Sequence, residues 1–190
     1  MRRLLAWGVI PTRLFLGAIF FTAGMGKIWP DHHFPGLIGP VWLIEQLEKY
    51  QLGIFATFIA WSQIIIGLLL MTQRFARIAA IMLVPMLLNI LMVTISQNWQ
   101  GTPYVLTALL LMNIYLIAMD FDMLKWLLSD QKNVTTSGIR TNIRKDLVFL
   151  IGVLAILVSP FLAYQQLYLG VFFVVGGLLL ITINQYYPRL

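Results

Sequence analysis

Two basic residues lie inside the first apolar stretch of the chain, where a charged side chain is costly and usually serves a function. Arg13, Gly17, Phe20, Gly24 and Lys27 follow one another at intervals of four, three, four and three residues. At about 100° per residue, this spacing places them on one narrow face of a helix. Arg13 and Lys27 would stand about 21 Å apart along its axis. Glycines on that face let a neighbouring helix approach closely, so we expect the face to point into the protein.

The two cations allow a structural and a functional interpretation. In the structural one, Arg13 extends towards the lipid phosphates and Lys27 is an ordinary interfacial anchor. In the functional one, they form a cationic site at each end of a helical bundle. Asp120 would then pair with Arg13, and either Glu45 or Glu48 would pair with Lys27.

Three amides form a second polar group within apolar stretches. Gln63, Asn89 and Asn113 are expected to face inward and meet near the middle of the membrane, where they could link helices by hydrogen bonds of about 0.6–2 kcal/mol each. Met82 and Met86 share a helix face with Asn89, and such methionines either fill a core adaptably or line a pocket. The predicted pocket for a flat apolar molecule such as a quinone comprises Arg13, Lys27, Gln63, Met86, Asn89 and Asn113.

Several chemistries are excluded or disfavoured by the residues present. The chain has no cysteine, which excludes thiol exchange and thiolate-held metals or clusters. His32 and His33 are adjacent, so they cannot form the i, i+4 pair that commonly binds a metal on a helix, and we predict no metal site. Phosphate-binding glycine loops and Ser–His–Asp sets are also missing. No catalytic residue can be assigned, and the sequence leaves open whether the protein is an enzyme.

Composition defines the elements that must position these side chains. The 190 residues are 60% hydrophobic and only 11% charged, whereas a soluble domain is about 25% charged. Six continuous apolar stretches approach the roughly 20 residues that a membrane-spanning helix needs. They cover residues 4–28, 52–71, 78–96, 103–119, 147–165 and 168–183. The sequence therefore predicts an all-α integral membrane protein with six spans, a four-helix transmembrane bundle followed by a C-terminal helix pair.

Basic residues between the stretches predict the orientation. Cytoplasmic loops of membrane proteins are enriched in lysine and arginine. The loops on one side carry only Lys27 and Lys49, and ten basic residues lie on the other side. That side includes both termini, which we therefore place in the cytoplasm. The ten are Arg2, Arg3, Arg74, Arg77, Lys125, Lys132, Arg140, Arg144, Lys145 and Arg189.

The predicted organisation has three parts. A four-helix unit spans residues 1–128 and includes an outer loop at 29–51. A polar cytoplasmic linker follows at 129–146, and a two-helix hairpin completes the chain at 147–190. We expect the lipid bilayer as surroundings, a membrane-protein partner as a candidate for the hairpin, and no nucleic acid.

The second half of the outer loop has a helical period of apolar and charged residues. Residues 41–50 are therefore expected to form a short amphipathic helix at the membrane interface. Trp42 and Leu43 would dip into the lipid from this helix.

Several segments resemble the DoxX-like family. Residues 13–20 (RLFLGAIF) and 23–28 (AGMGKI) are similar to its first-helix signature. Further similarity lies in GLLL at 67–70, QRFARIAA at 73–80 and PMLLNI at 85–90. The resemblance covers about residues 10–120. It implies a four-helix membrane bundle, in a family whose namesakes are linked to quinone-coupled thiosulfate oxidation and other members to redox or detoxification complexes.

The same resemblance identifies the motif positions of this chain. They are Arg13, Gly17, Gly24, Lys27 and Asn89, and none of them carries a catalytic role that can be transferred. The chain departs from the family by its two additional helices, which weakens transfer of an oxidoreductase role.

Three functions follow as hypotheses. The first is a redox-associated membrane subunit that binds a quinone or a lipid. The second is a non-enzymatic assembly or scaffold protein that docks through residues 147–190. The third is a small transporter, which the absence of internal repeats disfavours. The expected location is the inner membrane of a bacterium.

Overall fold

The structure, a computed structural model, describes residues 8–120 and 143–186. These residues form seven α-helices and a three-residue 3-10 turn at Pro30–His32, with no strand among them. The helices are α1 (Val9–Ile28), α2 (Leu43–Glu48), α3 (Gly53–Met71), α4 (Ala76–Ser96), α5 (Thr102–Met119), α6 (Ile143–Gln165) and α7 (Leu167–Tyr186).

Six of the seven helices are long and apolar enough to cross a membrane, all except α2. A helix satisfies all its backbone hydrogen bonds internally, which is what a segment in hydrocarbon requires. The predicted all-α integral membrane protein with six spans is therefore confirmed. Helix α6 begins at Ile143, but its candidate span begins at Asp146, one residue before the predicted stretch. Helix α7 extends to Tyr186, and its candidate span ends at Asn184. The cytoplasmic placement of the termini stays a prediction.

The short helix α2 lies where the amphipathic segment was predicted, at Leu43–Glu48. Leu43 and Leu47 are buried in the hydrophobic core of the protein. The prediction that Leu43 dips into lipid is therefore wrong, since α2 turns its apolar side towards the helices beneath it. Trp42 is half exposed and packs on Trp99, with 4.8 Å between the ring centroids.

The described residues divide into two compact units. The first contains residues 8–28 and 32–120 and thus helices α1 to α5. The second contains residues 29–31 and 143–186 and thus α6 and α7. Residues 121–142, which hold most of the predicted linker, lie outside the described part. The domain boundaries at 128 and 146 and a docking role for 147–190 stay predictions.

Helices α1 and α3 of the first unit approach each other backbone to backbone. A Cβ atom added at Gly24 would lie 2.6 Å from the carbonyl oxygen of Ala60, and one at Gly17 would lie 2.9 Å from that of Gly67. Both distances are too short for any side chain. Helix α4 packs against α3 and α5, and α5 also contacts α1. The prediction that the glycine face of α1 points into the protein is confirmed.

The second unit is an antiparallel pair of helices joined at a single residue, Gln166. A Cβ atom at Gly152 would lie 3.0 Å from the carbonyl oxygen of Gly177. Ile156 and Ile181 are buried beside this crossing. The two helices therefore use the same small-residue contact that joins α1 to α3.

Candidate functional site

The first unit has two ends with different polar chemistry. At the end that we call the Lys27 end, α1 and α4 finish while α3 and α5 begin. At the opposite end, the Arg13 end, α1 and α4 begin while α3 and α5 finish. This alternation follows from the short connections between consecutive helices α3, α4 and α5.

Lys27 is buried, with 5% of its surface exposed. Its Nζ donates hydrogen bonds to the carbonyl oxygen of Ala23, at 2.9 Å, and to Oε1 of Gln63, at 3.0 Å. An ammonium group has three donors, so these two bonds leave one N–H available. Within the part of the chain that the structure describes, no carboxylate pairs with Lys27.

Neither predicted carboxylate reaches Lys27. Glu45 Oε1 lies 3.4 Å from Nε2 of His32 instead, and Glu48 packs beside Gly53. The pairing of Lys27 with Glu45 or Glu48 is therefore wrong. The reason is that a helical side chain points back towards the N-terminus of its helix. Lys27 follows α1 towards Gln63 and away from α2.

A cavity of about 280 Å³ opens beside the Lys27 ammonium group. Its polar wall consists of Lys27, Gln63, Thr94 and Thr102, contributed by helices α1, α3, α4 and α5. Phe20, Trp42 and Trp99 supply aromatic surface, and the rest of the lining is mainly aliphatic. The cavity is thus an apolar, ring-lined space with one buried cation on its wall.

Gly39 keeps the approach to the ammonium group open. It has φ of +123°, a backbone conformation that strains other residues. A Cβ atom at this position would lie 3.7 Å from Lys27 Nζ. The sequence prediction missed Gly39 and Trp99. Both residues lie in loops at the same end of the bundle. Because the loops at one end of a bundle lie close together, their side chains could have been expected to border the same cavity.

The Arg13 end is closed by a charge cluster. Arg13 Nη2 lies 2.6 Å from Asp120 Oδ2, and Arg77 Nε lies 3.2 Å from Asp120 Oδ1. Arg13 Nη1 also donates to Oε1 of Gln73 at 3.4 Å. The structure thus brings together Arg13 and Asp120, as the sequence suggested, and adds Arg77 and Gln73. The cluster links the ends of α1, α3, α4 and α5 and does not line the Lys27 cavity.

The three amides do not meet. Gln63 accepts from Lys27, and Asn113 is fully buried and donates from Nδ2 to the carbonyl oxygen of Ala80 at 2.9 Å. Asn89 lies on the outer surface of α4. The prediction that Asn89 faces inward is therefore wrong, because α4 turns the neighbouring Ile90 towards the core.

The predicted methionine face lines a separate groove of about 460 Å³ between α3 and α4. Met82, Met86 and Asn89 form part of its α4 wall, and Phe55, Phe58 and Ser62 lie on α3. The predicted core pocket is thus divided among several places. Lys27 and Gln63 line the cavity, Met86 and Asn89 line the groove, Arg13 lies in the charge cluster, and Asn113 joins α4 to α5.

Comparisons with known proteins give one match. The family model described as DoxX matches residues 8–96, which include helices α1 to α4 and most of the cavity's polar wall. No curated protein and no solved structure matches the chain. The match contains the motif residues Arg13, Lys27 and Asn89 and ends before α5. Residues 8–96 are therefore a DoxX-like region, within a chain whose described residues form six helices that are long and apolar enough to cross a membrane.

Proposed function

We propose that the first unit binds the ring of a quinone in the Lys27 cavity and serves as a quinone-binding membrane subunit of a redox system. The observation that carries the proposal is the buried ammonium group of Lys27, which has no carboxylate partner among the described residues and lies on the cavity wall. Ionisable groups inside membrane segments usually mark a binding site or a pathway.

The charge on Lys27 favours an oxygen-bearing ligand. A buried cation is costly unless acceptors replace the water that it has lost. Ala23 and Gln63 provide two acceptors, and a carbonyl oxygen of a quinone would provide the third. The amide nitrogen of Gln63 carries further donors for the same ligand.

The walls of the cavity favour a ring over a phosphate. Phe20, Trp42 and Trp99 offer flat apolar surface, which packs well against an aromatic or quinonoid ring. The volume of about 280 Å³ is near the lower end of the range for small-molecule sites and suits a single ring. A phosphate would leave several of its oxygens against the apolar walls.

The residues of the chain would bind, orient and shield such a ring. A bound quinone would supply two-electron redox chemistry. Lys27 and Gln63 would fix one carbonyl oxygen, and the adjacent Trp42 and Trp99 would cover the ring and exclude water.

The test is a titration of the protein in lipid nanodiscs with a short-tailed benzoquinone. Binding is measured by the quenching of tryptophan fluorescence. Loss of a hydrogen bond to a charged group costs about 1.5–3 kcal/mol, so Lys27→Met should weaken binding roughly 10- to 150-fold. Lys49→Met is the matched control, because Lys49 is exposed and bonds only to Gln46. It should bind as the unaltered protein does.

Two results would overturn the proposal. One is equal benzoquinone affinity in the Lys27→Met and Lys49→Met variants, when thermal unfolding shows that both variants are folded. The other is the absence of quinone binding in a protein that retains an anionic phospholipid through Lys27. Mass spectrometry of the gently extracted protein would identify that lipid and favour a headgroup site.

A further inference from the structure

Asn89 places an unsatisfied amide on the outer surface of the first unit at membrane depth. It lies seven residues before the end of α4 at Ser96, or about 10 Å along the helix axis. Within the described residues its side chain makes no hydrogen bond. An unsatisfied polar group in hydrocarbon costs several kcal/mol, so this amide requires a partner outside the unit.

Three threonine hydroxyl groups on spanning helices, unlike the Asn89 amide, donate a hydrogen bond within their own helix. Thr57 donates to the carbonyl oxygen of Gly53 at 3.0 Å, and Thr107 donates to that of Pro103 at 2.8 Å. Thr182 donates in the same way to Leu178 at 2.7 Å. Each bond reaches back one turn in its own helix. Asn89 has no such bond, which separates it from these three threonines.

The groove beside Asn89 contains a second polar group and a protruding ring. Ser62 lines it from α3 and likewise makes no side-chain hydrogen bond in the part of the chain that is described. Phe58, with 65% of its surface exposed, stands at its edge. Met82 and Met86 give the opposite wall an adaptable shape. The surface thus carries a projection directly beside a recess.

We propose that a second copy of this chain covers the groove, forming a two-fold dimer within the membrane with its axis beside Asn89. An amide is both a donor and an acceptor, so Asn89 can pair with Asn89 of the partner subunit. A two-fold contact brings the same patch of both copies together. Phe58 then enters the partner's groove, and Phe58 of the partner subunit enters this one.

An ordinary phospholipid does not provide the hydrogen-bond partner that the Asn89 amide lacks. Its acyl chains have no donor or acceptor, and its ester groups lie at the edge of the hydrocarbon layer. A second copy always supplies a matching amide at the same depth. Interhelical amide bonds are an established means of association in membranes.

The absence of cysteine in the chain makes a direct test available. Met92 lies one turn from Asn89 and is 57% exposed, so Met92→Cys places a thiol beside the proposed axis without altering the amide. Leu111→Cys, on the exposed side of α5 and 62% exposed, is the control. In proteoliposomes with copper phenanthroline, Met92→Cys should form a covalent dimer and Leu111→Cys should not.

A second variant tests the amide itself. Adding Asn89→Leu to the Met92→Cys variant should weaken association about 3- to 30-fold, as the range of interhelical bond energies implies. Single-molecule photobleaching of Asn89→Leu at several protein-to-lipid ratios would measure the same change. Lys27→Met should leave cross-linking unaltered, which separates this proposal from quinone binding in the cavity.

Three outcomes would overturn the dimer. They are a protein that stays monomeric at every density, equal cross-linking through Met92→Cys and Leu111→Cys, and unaltered association in Asn89→Leu. A monomer in which Asn89→Leu weakens binding of a short-tailed benzoquinone would instead assign the groove to a small ring.

Discussion

Gly24→Ala should both destabilise the first unit and weaken ligand binding in the Lys27 cavity. The added Cβ would lie 2.6 Å from the carbonyl oxygen of Ala60, where ordinary contact begins at 3.4 Å. Because that oxygen belongs to backbone, α1 and α3 must separate by about 0.8 Å. Lys27 lies one turn beyond Gly24, and Gln63 one turn beyond Ala60. Their hydrogen bond of 3.0 Å would lengthen to about 3.8 Å, beyond bonding distance.

The expected loss of stability is that of an overpacked core, about 1–3 kcal/mol. Replacing glycine by alanine also favours a helix by about 1 kcal/mol, so a control must share this gain. Gly176→Ala provides it, since Gly176 lies within α7 and an added Cβ there meets nothing within 4 Å. The difference between the two variants therefore isolates the clash.

The assay is thermal unfolding of both variants in the same detergent, together with the benzoquinone titration. At about 2–4 °C per kcal/mol for a chain of this size, Gly24→Ala should unfold roughly 2–12 °C below Gly176→Ala. Its quinone affinity should approach that of Lys27→Met. Equal unfolding temperatures in the two variants would refute the backbone contact between α1 and α3. A destabilised Gly24→Ala with full affinity would show that the Lys27–Gln63 bond does not depend on it.

Two further predictions concern the charge cluster and the cavity entrance. Asp120→Asn should lower stability by about 1–3 kcal/mol, because it leaves the half-buried Arg13 without its carboxylate. Arg77→Gln, which removes a 59% exposed partner, should cost less than about 1 kcal/mol in the same unfolding assay; equal losses would contradict this ranking. Gly39→Val should weaken benzoquinone binding by straining the loop and crowding Lys27 Nζ, and unaltered affinity would place the entrance elsewhere.

The positions of the spans could be predicted from sequence because each is a long apolar run that only a helix can carry through hydrocarbon. The packing face of α1 could be predicted as well. Gly17 and Gly24 share a face, and only small residues permit the backbone approach that the structure shows at Gly67 and Ala60. The proximity of Arg13 to Asp120 followed from the topology, since both lie at the same end of alternating helices.

The rotation of α4 about its axis could not be predicted. In a helix of a water-soluble protein the polar side faces the solvent. In a membrane this rule does not apply, because lipid is as apolar as a protein core. The pattern around Asn89 is therefore equally compatible with an inward or an outward amide. The partner of Lys27 was missed for a related reason. Opposite charge and predicted membrane depth suggested Glu45 or Glu48, whereas the direction of the side chain along α1 leads to Gln63.

The single-residue connection at Gln166 has a consequence for how the protein is made. Helix α6 ends at Gln165 and helix α7 begins at Leu167, so only one residue separates the two helices. We expect the translocation machinery to receive them together, as one hairpin of two helices.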